Sequence, residues 1–231
     1  MLRKNKPSCR ELVETMQISW NGFSSFEIIT KTSSGDVRLV TDPYQNSTGL
    51  RFPRTLEAEI LLESHDEEDA NNREAVVGSP YIIDLPGEFE VRSVFVFGVS
   101  AVLKREEKGR KIQNLLFRIE TEGMRLAHLG ALDRPLTDEE LQKLENIDIL
   151  MIPVGGGRYM DPSIASEVIS QIEPRVVIPM THALPSMKEP LSSIDDFCKA
   201  FGTCRREDMN KYKVTRKDLP EEDMVIISLT R

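Results

Sequence analysis

The chain changes character near Gly130, and this limits its folds more than any other feature. Before that point, short β-prone runs follow one another with Gly, Pro or Asn between them. Met16–Trp20, Phe26–Lys31 and Val37–Thr41 read as an opening meander, turning at Asn21-Gly22 and Ser33–Gly35. Ile60–Glu63, Tyr81–Asp84, Glu88–Val91, Val94–Val99, Ala101–Lys104, Asn114–Thr121 and Met124–His128 continue the series, with Glu106–Lys111 as a solvated hairpin tip. A helix start is placed near Asn71. After Gly130, helix and strand alternate. Thr137-Asp138-Glu139-Glu140 opens a helix to Leu144 with a capping-box pattern. Pro162 opens Ser163–Ile172, where Ile164, Val168 and Ile172 share one face. Ser192–Phe201 is a third helix, and Asp148–Pro153, Val176–Pro179 and Met224–Leu229 are apolar strands. Residues 1–15 read as a polar leader with a short helix near Arg10–Thr15. Residues 16–231 then form a single domain: two packed sheets with outer helices.

Composition excludes several classes. The net charge is −8, which argues against nucleic-acid binding, because phosphate attraction needs clustered Lys and Arg. Arg205-Arg206 and Lys211–Lys217 read as a solvated face. No apolar run is long enough to cross a membrane, and Met1–Arg10 lacks the apolar core of a signal peptide. Cys9, Cys198 and Cys204 are read as reduced thiols. The expected location is the cytoplasm. A small molecule and a second copy of the chain are the partners left open; nucleic acid and membrane are not expected.

The chemistry is carried by three histidines, His65, His128 and His182, the only ones in the chain. Each ends or follows an expected strand, where one edge of a sandwich gathers functional loops. Ser24 and Ser25 lack a nucleophile-elbow setting. Gly155-Gly156-Gly157 reads as a tight loop without a phosphate-binding Lys and Ser/Thr. Arg158 and Tyr159 after it read as surface residues, with contact to a substrate anion as the other reading.

Six stretches, in order, resemble the metallo-β-lactamase superfamily, in the branch of ascorbate-phosphate lactonases and zinc-dependent hydrolases of β-lactamase fold. Ile18–Phe26 is similar to that branch's opening WxGHSxF. Thr41-Asp42-Pro43 resembles its DP, and Pro86–Val91 its PGEYEV. Ala127–Gly130 resembles HxGD, Ile152–Gly156 PVGG, and Val177–Met180 IPMH. The resemblance covers Gln17 to His182 and implies an αββα sandwich of two mixed sheets with outer helices, an α+β fold. In that family the glycine loop lines the edge of the site.

The family's metal motif HxHxDH falls on His65-Asp66-Glu67-Glu68-Asp69-Ala70. His65 and Asp69 match; Glu67 and Ala70 stand where histidines are usual. Ala131 takes the place of the bridging aspartate, Thr181 that of the last histidine, with His182 one residue on, and Phe23 that of the histidine in GHS. A two-metal hydrolase needs about three protein ligands per ion, and alanine supplies none. The resemblance implies one ion, zinc, manganese or iron, held by His65, Glu67 and His128, with His182 assisting and Asp69 orienting the water. The bland alternative is no ion: an acidic solvated loop, and histidines bonded to backbone. The function readings are therefore a binding or scaffold protein, or a one-metal hydrolase of an ester, lactone or phosphate-bearing small molecule.

Overall fold

The computed structural model describes residues 15–202 and 206–231; the expected leader lies outside them apart from Thr15. The opening meander is β1 (Met16–Gly22), β2 (Ser25–Thr32) and β3 (Gly35–Thr41), followed by β4 (Ile60–Leu62) and β5 (Tyr81–Ile83). Next come β6 (Gly87–Val91), β7 (Val94–Ser100), the two-residue pair β8 (Glu106–Glu107) and β9 (Arg110–Lys111), β10 (Leu115–Thr121) and β11 (Met124–His128). The alternating half is α1 (Asp138–Lys143), β12 (Ile149–Pro153), α2 (Pro162–Ile172), β13 (Val176–Met180), α3 (Ile194–Phe201), β14 (Arg206–Met209), β15 (Tyr212–Val214) and β16 (Val225–Leu229).

Two mixed sheets result. One runs β15-β1-β2-β3-β4-β5, antiparallel through β3 and parallel from β3 to β5. The other runs β14-β16-β13-β12-β11-β10-β7-β6, parallel from β14 to β11 and antiparallel beyond. Period-two burial drives the pairing: β1 alternates buried and half-buried along its whole length. Ile18, Phe26, Leu39 and Ile60 from one sheet meet Phe117, Leu126, Met151 and Ile178 from the other in one buried cluster. The α+β sandwich expected from the sequence is the observed fold.

Four local outcomes differ from the sequence reading. Ala101–Lys104 is not a strand, although Ala101 and Leu103 still donate to the Asn114 and Ile112 carbonyls. The helix start near Asn71 is only a short 3-10 turn, Arg73–Ala75. The stretch read as a solvated basic face contributes β14 and β15, each ending a sheet. Finally, Cys198 on α3 is disulfide-bonded, so the expectation of reduced thiols fails there. Spacing along a chain does not say which thiols a fold brings together. The other two cysteines lie outside the described residues, and the cytoplasmic expectation loses the support it drew from free thiols. No helix among the described residues is long and apolar enough to cross a membrane.

The outer layers are unequal. Ala165, Val168 and Ile172 of α2 and Phe197 of α3 pack with Leu150, Ile152 and Val177 on the second sheet. On the first sheet, the loop residues Tyr44, Leu50, Phe52 and Leu56 cover Val40 and Leu61. Both layers leave free the loops that leave β4, β11, β12 and β13, and these converge at the carboxyl ends of the parallel strands, where sites tend to form.

Candidate metal centre

Close approach of these loops is built on glycine. A Cβ on Gly155, after β12, would sit 2.1 Å from the Thr181 carbonyl oxygen after β13. A Cβ on Gly130, after β11, would sit 2.6 Å from Ser64 Oγ and 2.3 Å from Asn114 Oδ1. The four loops can touch only because those side chains are missing.

At the centre lies His65, whose side chain is fully buried. Ser64 is pinned by Asp42, whose carboxylate accepts both its N–H and its Oγ–H at 2.7 Å. Because the Ser64 proton goes to Asp42, the Ser64 oxygen accepts from His65 Nδ1 at 2.8 Å. On the other side, His65 Nε2 faces Asp69 Oδ2 at 3.1 Å. Both ring nitrogens therefore carry protons. Burial alone would push the imidazole down, but the Asp69 carboxylate, with Asp42 and Glu67, outweighs it and holds the ring above its ordinary value.

Asp69 is also fully buried. Burial would raise its carboxyl, yet His65, Arg158 and Tyr159 hold it well below the usual range. Tyr159 Oη–H donates to Asp69 Oδ2 at 2.7 Å, and Arg158 Nη2 lies 2.8 Å from Oδ1. Arg158 further reaches Glu67 at 3.2 Å and Glu189 at 3.0 Å. Arg105 forks onto both oxygens of Glu67, its own backbone fixed where Asp133 accepts from the Lys104 and Arg105 N–H groups. Three cations, His65, Arg105 and Arg158, thus face Asp42, Glu67 and Asp69.

A family model described as a β-lactamase superfamily domain matches residues 17–181. The chain belongs to that superfamily. A UPF0173 metal-dependent hydrolase of Thermoplasma acidophilum is 23% identical over 192 residues, 73% of this chain and 84% of the relative. Another, from Thermococcus onnurineus, is 26% identical over 192 residues, 71% and 84%. Among solved structures, a candidate zinc-dependent hydrolase of the metallo-β-lactamase superfamily from Thermotoga maritima superposes with a TM-score of 0.74 at 29% identity, covering 93% of this chain and all of that one. The superfamily fold and a metal-dependent hydrolase kinship are thereby shown.

Measured against the superfamily's metal positions, three of the five expected residues meet. His65, Glu67 and Asp69 each offer one donor atom, all within 4.8 Å of one another, near enough to hold one ion. His128 stands behind them. Its Nε2–H donates to the Ser24 carbonyl at 2.8 Å, and Nδ1 accepts from Gly130 N–H at 3.3 Å; burial pushes it below its ordinary value, with Asp42 opposing. His182 lies outside the group, against Trp20. Ala70 and Ala131 are fully buried, and Ala131 packs with Tyr159 and Leu103. Phe23 packs on Tyr44 and lines a cavity of about 530 Å³ in front of the cluster with Thr48, Asn71, Arg158 and Lys188.

Residue types test the fit of an ion. A ligating imidazole must present a lone pair and a ligating carboxylate a free oxygen. His65 presents N–H on both sides, both His128 nitrogens are used, and the facing oxygens of Glu67 and Asp69 carry guanidinium or phenol donors, while Asp69 Oδ1 pairs in charge with Arg158 at 2.8 Å without an aligned hydrogen bond. The donor types fit one ion, but their present bonding does not. The sequence reading of Arg158 and Tyr159 as surface residues fails, since Tyr159 is buried and both are drawn in by Asp69; Arg105, Ser64 and Asp42 were passed over as site residues. Asp42-Pro43 was visible as a motif; Arg105 left no signal beyond a charged turn.

Proposed function

We propose that this member of the superfamily does not hydrolyse by the two-metal route and serves as a binding or scaffold protein. One observation carries the reading: the Arg158 guanidinium spans Asp69, Glu67 and Glu189, supplying the positive charge that the superfamily takes from metal. Two further features support it. The buried Ala70 and Ala131 cannot ligate, and neither His65 nor His128 has a spare lone pair. A small molecule would then be met in the cavity in front of the cluster, where Arg158 and Lys188 are the cations.

The second reading, a one-metal hydrolase of an ester, lactone or phosphate-bearing molecule, is favoured by the spacing of His65, Glu67 and Asp69. It requires Arg158 and Arg105 to release their carboxylates. Metal analysis of the full chain, after loading with zinc, manganese or iron and dialysis, separates the two. We expect far less than one ion per chain in a folded protein, and a gain of metal in the double variant Arg105→Ala, Arg158→Ala. Stoichiometric metal in the parent, lost in His65→Ala, would overturn the binding-protein reading.

A further inference from the structure

His182 serves a different part of the molecule. The chain turns at Thr181, in the left-handed region at φ 53°, and sets the His182 ring against Trp20 with centroids 4.6 Å apart. This corner lies at the lateral edge of the sandwich, between Trp20 on β1 and Arg206, Ser228 and Leu229 on β14 and β16. A cavity of about 880 Å³ opens there, the size of a small-molecule site. Trp20, Leu50, Leu184, Pro185, Ile194 and Leu229 form its apolar walls, and Arg206, Asp208, Ser228, Thr230 and Arg231 line the rest.

His182 is a polar group set into those walls. It is 5% exposed, and both ring nitrogens are buried without an aligned hydrogen-bond partner; the Ala183 backbone lies close enough to act on the ring as a hydrogen-bonding group. Buried polar atoms nearly always find partners, so an orphaned imidazole needs a reason. Of the two cations at the mouth, Arg206 is neutralised by the Asp195 and Asp208 carboxylates, and Arg231 is held by the Arg51 backbone carbonyl.

We propose that this cavity is a second binding site, distinct from the histidine–carboxylate cluster, for a neutral, ring-sized apolar molecule whose single hydrogen-bonding group is received by His182. Burial pushes the His182 ring down to about 4, so at neutral pH it is uncharged, with one N–H and one lone pair. It can serve a hydroxyl or a carbonyl, whereas an ionic group would lose its hydration among the apolar side chains. The site stands whether or not the first one holds metal.

Trp20 is the only tryptophan, so its emission reads this cavity directly. Cyclohexanol is the probe: an apolar ring with one hydroxyl and no absorbance where tryptophan is excited. Titrated into the full chain, it should shift Trp20 emission along a saturating curve. Cyclohexanecarboxylate and cyclohexylamine should bind about tenfold more weakly. His182→Phe keeps a ring against Trp20 but removes the hydrogen bond, and should weaken cyclohexanol about tenfold. Leu184→Phe, which narrows the mouth, should weaken it as well and carries the test if His182→Phe does not fold. A linear response in the parent means the cavity holds solvent alone and overturns the proposal. So does saturation left unchanged by the variants, and tighter binding of the carboxylate overturns the neutral class.

Discussion

Arg158 shows how much one side chain decides. Its guanidinium reaches three carboxylates, a geometry that a lysine's point charge cannot copy. Arg158→Ala leaves Asp69 with His65 alone as its ionic partner, and buried carboxylates that lose a partner are costly. Allowing for the partial exposure of Arg158, we expect a loss of roughly 2–4 kcal/mol in urea unfolding, with Arg158→Lys recovering only part of it. His182 gives a pH signature. Its folded value lies near 4 against 6.5 for the free group, so the unfolded chain takes up the proton first. Stability is full above 6.5 and falls as pH drops from 6.5 towards 4, by about 1.4 kcal/mol per pH unit from this residue. The slope measured for His182→Phe should be shallower by that part. His65, raised rather than lowered, acts with the opposite sign: its contribution is full below 6.5 and is lost as pH rises through its folded value.

Among the elements, the loops after β12 and β13 depend on a missing side chain. Gly155→Ala puts a Cβ onto the Thr181 carbonyl, and no rotamer relieves a clash with backbone. The expected cost is about 1–3 kcal/mol, with a lowered melting temperature and weaker Tyr159–Asp69 contact. An unchanged melting temperature would mean that the loops can separate freely. The helices are locally written. Thr137 Oγ1 accepts from Glu140 N–H, and the Glu140 carboxylate accepts from Thr137 N–H, as the Thr-x-x-Glu pattern predicts. The edge strands are not. β14 is Arg-Glu-Asp-Met, with exposed or half-buried residues throughout, so no apolar alternation marks it. Its pairing with Ile226–Leu229 of β16 is set by the backbone, and charge on an edge strand discourages further pairing.

At the scale of the whole molecule, the two sheets share one buried cluster and are also tied by Thr30 Oγ1 and Thr121 Oγ1, 2.7 Å apart. They should unfold together. Trp20 emission reports the first sheet, while far-ultraviolet ellipticity reports the strands of both sheets together with the α-helices of the described residues, which pack on the second. The two signals should give coincident urea transitions; separate midpoints would mean that each sheet folds with its own outer layer. Phe117→Ala, in the middle of the shared cluster, should lower both midpoints together, at a cost of about 3–5 kcal/mol.

What the sequence determined by itself was local and periodic. Alternation in β1 to β3, the capping residues of α1 and α3, Pro162 at the start of α2, and the order of six family-like stretches gave the sandwich and the end of it that carries the loops. These signals survive in a linear chain because each depends on residues a few positions apart. The tertiary structure decided who pairs with whom. Glu67 meets Arg105 from 38 residues away and Asp69 meets Tyr159 from 90, separations over which no spacing rule operates. The same holds for His128, turned to the Ser24 carbonyl, and for Cys198. His182 is carried to Trp20 by one left-handed residue. A motif fixes which donors arrive at a site; through-space electrostatics and packing fix whether a metal, an arginine or an apolar wall receives them.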